Sequence, residues 1–436
     1  GCGGPQLASA VGSRGAGSGR LGGSDAGFRR SQGARQRGVR HTRPRHRPGE
    51  AHPSLASCSG VCSPRRRRLA AGPVRRRHRR AEGAALDHPA AGRLPHPAGA
   101  IIAGLSEIRQ DAVSGHWVIV APERARRPHA FANAAEKPRR AEPCPFCPGR
   151  EFETPPEVMA LRDSGRANEP GWRLRVVPNK FPALKRNPEQ ELAPESPWRR
   201  EGVGAHEVVI EAAEHDLTWS EFPIPKLAEL LGAIRSRMTA LARDRGVESV
   251  FYFKNHGDAA GATLEHPHSQ LLALPMVPAL VAAELDGAHR YHANTDQCYF
   301  CELAGREGAG GVRLILDGGP VVALAPYAAR APFEVWLLPK RHQARLEAAG
   351  EVEMEALARV LRAVLRKLDR ALGEPAFNLL LHEAPARSGA LVYYHWHFEL
   401  IPRLARLAGF EWGTNMFINP VAPEEAARRL RETSAD

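Results

Sequence analysis

Two histidines separated by a single proline, His266-Pro267-His268, stand just before the apolar run Leu271-Leu272-Ala273-Leu274. In an extended segment, residues i, i+2 and i+4 share a face, so His266, His268 and Gln270 point the same way. A neutral imidazole can ligate a metal or attack an electrophile, and one such pair can divide the two tasks. Alone, the pair reads more simply as a polar edge strand. Two CxxC pairs and a second HxH argue against that: Cys144-Pro145-Phe146-Cys147, Cys298-Tyr299-Phe300-Cys301 and His395-Trp396-His397. CxxC sets two thiolates on a tight turn, as tetrahedral Zn²⁺ requires. Neither pair is followed by a compact HxxxH, so the histidines must come from a distance. His215 and His266 suit the first pair, and His342 and His395 the second. An isolated CxxC is as readily a redox pair. Duplication with a matching HxH favours zinc in a reducing compartment over a disulfide framework.

The elements that would carry these residues recur in order. The first half shows strand-like runs at 116–120, 172–178, 206–211, 250–254 and 270–274, rich in β-branched and aromatic residues. Leu227, Leu230, Leu231, Ile234, Met238 and Leu241 follow Pro225 at helical spacing until Gly246. The second half repeats the plan, with strands at 321–325, 333–338, 377–381 and 396–401. Its helix carries Met354, Leu357, Leu361, Val364, Leu368 and Leu372 and ends at Gly373. A last amphipathic helix starts near Pro423. The expectation is an α+β fold of two duplicated units, each an antiparallel sheet packed with helices. The domains would be a leader at 1–104, a first half at 105–290 and a second at 291–436.

The charge lies in one place. Residues 1–104 hold 20 arginines, no lysine and four acids, a net +16 against +13 for the whole chain, so the remainder is at −3. A nucleic-acid role for the folded part is therefore not expected. The leader has one aromatic, Phe28, and no sustained apolar period, and it reads as unable to offset its ordering entropy. It holds Cys2, Cys58 and Cys62, and the first Met of the chain is Met159. We expect a disordered leader or sequence upstream of the true start, ahead of a transit peptide or a nucleic-acid arm. No run of about 18 apolar residues is present, so no membrane span is expected.

The HPHSQ pattern at 266–270, with Asn255 eleven residues before it, resembles the galactose-1-phosphate uridylyltransferases and related nucleotidyltransferases of the histidine-triad superfamily. The resemblance spans about 105–436 and rests on several separate segments. These are 106–111 (SEIRQD), 117–128 (WVIVAPERARRP), Cys144 to Cys147, 177–182 (VPNKFP) and Gly409-Phe410-Glu411.

That resemblance implies a histidine-triad-like fold in each half and a cytoplasmic, zinc-containing homodimer. It implies that His268 is a nucleophile carrying a nucleoside monophosphate, with Gln270 bonding the phosphoryl oxygens. UMP would pass from UDP-glucose to galactose-1-phosphate. It further implies phosphate and nucleotide contacts from Arg124, Arg127, Asn255, Gly261 and Thr263, a nucleoside pocket at Asn179 and Phe181, and a sugar loop at Phe410 and Glu411. Cys144, Cys147, His215 and His266 would hold a structural zinc. For a second site one branch implies Glu284, His382, His395 and His397, and another implies Cys298, Cys301, His342 and His395. Thiolates favour the second set. Lys180 after Asn179 and the sequence 409–414 also lean to that branch, which includes adenylyl transferases acting on ADP-glucose. A non-catalytic zinc-stabilised nucleotide- or nucleic-acid-binding protein is the reading from another class, and intact His268 and Gln270 speak against it.

Overall fold

The computed structural model describes residues 106–126, 143–186 and 202–436. The leader expectation and Arg127 lie outside the described residues. A short meander opens the described chain. Strands β1 (Glu107–Gln110) and β2 (Trp117–Val120) pair antiparallel, and a late strand joins β2 in parallel to complete a three-stranded sheet.

The large sheet draws on both halves. The first half supplies β3 (Met159–Arg162), β4 (Trp172–Pro178), β5 (Ala205–Ile210), helix α1 (Ile224–Ala242), β6 (Ser249–His256) and β7 (His268–Leu274). Helices α2 (Ala279–Thr295) and α3 (Tyr299–Gly308) follow. The second half supplies β8 (Leu314–Asp317), β9 (Val321–Leu324), β10 (Val335–Pro339), helix α4 (Glu351–Leu372), β11 (Phe377–His382) and β12 (His397–Pro402). The chain ends with α5 (Gly409–Thr414), β13 (Phe417–Asn419), which is the third strand of the small sheet, and α6 (Pro423–Glu432).

The strand order is β3-β4-β5-β7-β6-β11-β12-β10-β9-β8, antiparallel throughout. Read from its centre, the order is the same outward in both directions: β6-β7-β5-β4-β3 and β11-β12-β10-β9-β8. The duplication expected from sequence is therefore present in the topology. The halves do not own separate sheets, however. They are fused edge to edge where β6 pairs β11, with Asn255 opposite Asn378. The division expected at residue 290 falls inside α2.

The helices form where the apolar period said they would. In α1 the buried stripe is Leu227, Leu230, Leu231, Ile234, Met238 and Leu241, with a proline in the first turn. In α4 it includes Met354, Leu357, Leu361, Val364 and Leu368, and Gly373 ends it in the left-handed conformation at φ 75°. Each such leucine contributes about 1.5–3 kcal/mol by burial. Both helices cover one face of the sheet, and α6 packs beside α4.

The other face differs between the halves. In the second half it is covered by α2 and α3, whose Ala288, Tyr291, Phe300 and Leu303 pack on Val322, Leu324, Trp336 and Leu338. Strands β9, β10 and β12 are consequently buried at every residue. In the first half β6 and β7 alternate between buried and half-buried positions. Among the described residues this face is open over only part of the first half: His206, Phe251, Phe253, Gln270 and Leu272 lie on it half-buried, while Val177, Val208 and Ile210 are buried there in a small cluster with Phe146.

Candidate active site

His268 is the first residue of β7, where the strand begins beside that open face. Its Nδ1 donates to the His266 carbonyl at 2.9 Å. A carbonyl only accepts, so the proton sits on Nδ1 and the lone pair on Nε2. Burial, aided by the Lys254 ammonium, holds its pKa below the ordinary histidine value, so the ring is neutral near pH 7. A neutral ring with a fixed tautomer and a bare Nε2 is what nucleophilic attack needs. Behind it, on the covered side, Lys254 Nζ donates to the His268 carbonyl at 3.1 Å and to Glu211 Oε2 at 2.6 Å. Trp219 Nε1 donates to the same carboxylate oxygen at 2.7 Å, and the Glu211 backbone N–H bonds the Pro267 carbonyl at 3.0 Å. This buried ion pair and the strand pairing clamp the backbone on both sides of His268.

The register Val208↔Gln270 and Ile210↔His268 puts His206 on the same face as Gln270, one diagonal away. His206 Nε2 lies 2.8 Å from Gln270 Oε1. Asn179 follows β4; its Oδ1 accepts from the Phe181 N–H at 2.8 Å, closing a turn that leaves Phe181 82% exposed. Asn255, near the end of β6, accepts at Oδ1 from Asn378 Nδ2 at 2.8 Å, and Asn378 also donates to the Ala260 carbonyl at 2.9 Å. Gly261 takes φ +90° after the short 3-10 turn Asp258–Ala260, a conformation that suits glycine, and Thr263 lies exposed in the loop leading to His266.

The remaining candidates lie elsewhere. Arg124 is in the 3-10 turn Pro122–Arg126 that follows β2. Phe410 and Glu411 lie on α5, which packs on β13. Glu411 accepts from the Ala408 N–H at 3.0 Å and so closes the first turn of that helix, while Phe410 and Trp412 are exposed. These residues thus belong to elements of the small sheet rather than to the face that carries His268.

Two Cys/His clusters assemble. In each, the ligand atoms of Cys144, Cys147, His215 and His266, or of Cys298, Cys301, His342 and His395, all lie within 4.8 Å of one another. The histidines aim Nδ1 at sulfur: His215 and His266 stand 3.3 and 3.7 Å from Cys147 Sγ, and His342 and His395 stand 3.3 and 3.5 Å from Cys301 Sγ. Three of the four also give their Nε2 proton to a backbone carbonyl at 2.8 Å: His266 to Ala212, His342 to Leu391 and His395 to Pro339. This outer bond leaves Nδ1 unprotonated, as in a zinc-ligating histidine. The four cysteines are free thiols. Donor set and tautomers therefore both fit Zn²⁺. The tight turn expected under each CxxC occurs only at Cys144–Cys147; Cys298 instead caps α3 and Cys301 lies in its first turn.

The alternative second set does not form as a unit. His395 turns to Cys301, while Glu284, His382 and His397 close on one another as a third cluster. His382 Nδ1 lies 2.7 Å from Glu284 Oε2 and its Nε2 lies 3.6 Å from Glu399 Oε2, while Arg330 pairs with Glu399. Burial opposes charge on His382, but Glu399 and Glu284 outweigh it and raise its pKa to about 9. The cluster thus neutralises its own charge. His397 Nδ1 lies 3.2 Å from the His395 carbonyl and Nε2 lies 3.2 Å from Glu284 Oε1, with the whole side chain buried.

His206, Asn378 and the Lys254–Glu211 pair were not singled out from sequence. The alternation at 206, 208 and 210 marks one strand face, but which face meets Gln270 depends on pairing with a strand some 60 residues away.

The family model described as galactose-1-phosphate uridyl transferase, N-terminal domain, matches residues 100–278, and one described as a domain of unknown function (DUF4921) matches 229–434. The chain is 37% identical to ADP-glucose phosphorylase of Arabidopsis thaliana, over 75% of this chain and 93% of that protein. It is 30% identical to galactose-1-phosphate uridylyltransferase of Thermotoga maritima, over 76% of this chain and all of that protein. The crystal structure of an Arabidopsis thaliana ADP-glucose phosphorylase with bound ADP-glucose superposes with a TM-score of 0.66 at 34% identity, covering 76% of this chain and 100% of that one. With fold, duplicated topology and sequence in agreement, the chain belongs to the galactose-1-phosphate uridylyltransferase family of nucleotidyltransferases.

Proposed function

We propose that this protein moves a nucleoside monophosphate from a nucleoside diphosphate hexose to a second phosphate acceptor through His268. The observation that carries the reading is the His268 ring itself, with Nδ1 engaged by the His266 carbonyl and Nε2 left with its lone pair. Nε2 attacks the α-phosphorus of the donor. The N–P bond forms, the bond to the bridging oxygen breaks, and hexose-1-phosphate leaves with that oxygen. An acceptor phosphate oxygen then attacks the same phosphorus, the N–P bond breaks and a nucleoside diphosphate product departs. Imidazole serves both steps because it is a good nucleophile and a good leaving group. Gln270 bonds the phosphoryl oxygens in this reading, and Asn255, Gly261, Thr263, Arg124 and Arg127 contact the phosphates. Asn179 and Phe181 face the nucleoside. Phe410 and Glu411 hold the sugar, reaching a neighbouring subunit of a homodimer.

Cys144, Cys147, His215 and His266 would hold one structural Zn²⁺, and Cys298, Cys301, His342 and His395 a second. When bound, the metal supplies rigidity rather than a reaction step. His266 thereby anchors the segment that presents His268. Free thiols in both sites suit a reducing, cytoplasmic setting.

For the donor we favour ADP-glucose, with inorganic phosphate as acceptor. Support comes from the 37% identity to an ADP-glucose phosphorylase and from the second cluster built on two cysteines. The second reading, UDP-glucose with galactose-1-phosphate, rests on the 30% identical uridylyltransferase. Glucose-1-phosphate release is the test, with each donor supplied with each acceptor. Release from ADP-glucose and phosphate at a kcat/KM at least about tenfold above the other pair supports the first reading, and the reverse order replaces it with the second.

A further inference from the structure

We infer that His206 is a positioning residue that fixes which end of the Gln270 amide faces the phosphoryl group. The inference rests on the nucleotidyl-transfer reading above. Its evidence is the ring's two contacts. The backbone N–H of Ala183 points at His206 Nδ1 from 3.1 Å. A backbone N–H can only donate, so Nδ1 holds a lone pair and the ring proton sits on Nε2. Nε2–H therefore donates to the atom 2.8 Å away, Gln270 Oε1. The other neighbour of Nε2 is Asn179 Nδ2 at 3.3 Å. Both of those nitrogens carry hydrogens, so that approach is packing rather than a hydrogen bond.

With its oxygen engaged, Gln270 has only its NH₂ end left to offer. Phosphoryl oxygens only accept, so this is the end that can serve them. A reversed amide would set its NH₂ against Nε2–H, donor against donor. His206 thereby selects one of two amide orientations before any substrate arrives. The same ring ties the segment from Asn179 to Ala183 to the phosphate-binding amide through the Ala183 bond. His206 is half-buried on β5 and the register Val208↔Gln270 fixes its diagonal position, so the arrangement is set by the sheet rather than by a loop.

Two near-isosteric substitutions separate the two contacts. His206→Gln keeps a donor near the position of Nε2 and loses the Ala183 acceptor. His206→Asn keeps an acceptor near the position of Nδ1 and loses the reach to Gln270. The readout is the single-turnover rate of covalent nucleotidyl-protein formation by rapid quench and intact mass, with ADP-glucose and UDP-glucose as separate donors. Melting temperatures are recorded alongside. We expect His206→Gln within about threefold of wild type and His206→Asn slower by about tenfold to a hundredfold, as misplacement of a catalytic group produces. Gln270→Ala should be slowed at least as much, and adding His206→Asn to it should cost nothing further. Equal loss in the Gln and Asn variants, an Asn variant at the wild-type rate, or additive losses in the double variant would overturn the assignment. Absence of any adduct in the wild type would instead sink the transfer reading, and the role of His206 with it.

Discussion

His268 and His397 occupy the same place in the two halves. Each follows a first histidine by two residues, opens the matching strand, and turns Nδ1 to that first histidine's carbonyl, at 2.9 and 3.2 Å. Each first histidine sits in a Cys/His cluster, and each has a phenylalanine from the CxxC segment against it. Phe146 meets His268 edge-on at 5.5 Å, and Phe300 stacks on His397 at 4.8 Å. What separates them is the covering of the sheet face. Over the second half, α2 and α3 seal the face and bring Glu284 to 3.2 Å from His397 Nε2. Among the described residues no such pair of helices lies over β6 and β7, and both strands keep half-buried positions on that face. A duplicated folding device thus recurs at the start of both strands and a difference in one layer of helices distinguishes the copies; in the proposed reading only the first carries the chemistry.

The sharpest way to break this comparison is to remove each histidine in turn. His268→Ala should lower kcat by at least about 10⁴-fold with folding intact, while His397→Ala should keep turnover per folded molecule within a few-fold and lower the melting temperature. A strong kcat loss in His397→Ala would mean that the second half takes part in the reaction. The clusters give the next largest effect. Cys144→Ser and Cys298→Ser should each lower zinc content, read by elemental mass spectrometry. Cys144→Ser should also reduce activity per folded molecule, because His266 anchors His268. Unchanged zinc in either variant would show that its ligand assignment is wrong.

The buried Lys254–Glu211 pair behind His268 ranks third. Lys254→Met leaves Glu211 without its cation and should cost about 3–5 kcal/mol in a denaturant titration, much of it recovered by adding Glu211→Gln. The smallest effect is a pH dependence at the joint between the halves, where His256 stacks on Phe377. Burial, with help from Lys254, pushes the His256 pKa down to about 4. The unfolded chain takes up this proton below about pH 6.5 and the folded chain only near 4, so its contribution is complete above about 6.5 and is lost as pH falls towards 4. His256→Gln should flatten the stability profile in that window. An unaltered slope would place the acid sensitivity elsewhere.

Much of this architecture is legible in the residues. β4 at Trp172–Pro178 is bounded as the pattern predicts, α1 and α4 follow their apolar stripes, and α4 ends at its glycine, whereas α1 stops at Ala242, short of Gly246. The two CxxC pairs and two HxH segments announce the duplication. The failures have physical causes. Strands β1, β3 and β8 are four residues long with at most one β-branched or aromatic residue each, and β13 has only three residues, whereas the equally short β2 and β9 carry two or more. Helix α2 carries a weak stripe with Gly287 in its middle, and a side chain there would meet the Val113 carbonyl. The competing ligand sets for the second cluster could not be separated by spacing, because His395 and His397 are only two residues apart and only the fold sends them to different partners. His206 was hidden for the same reason, since its meaning comes from the register of β5 against β7.

The central claim is that His268, and not its counterpart His397, carries the transferred group. The direct measurement offers the purified protein ADP-glucose or UDP-glucose without acceptor, followed by intact mass and peptide mapping under conditions that preserve phosphoramidates. The account predicts one nucleoside monophosphate per chain on the peptide containing His268, retained in His397→Ala and lost in His268→Ala. A label on another residue, or one that survives His268→Ala, would contradict it.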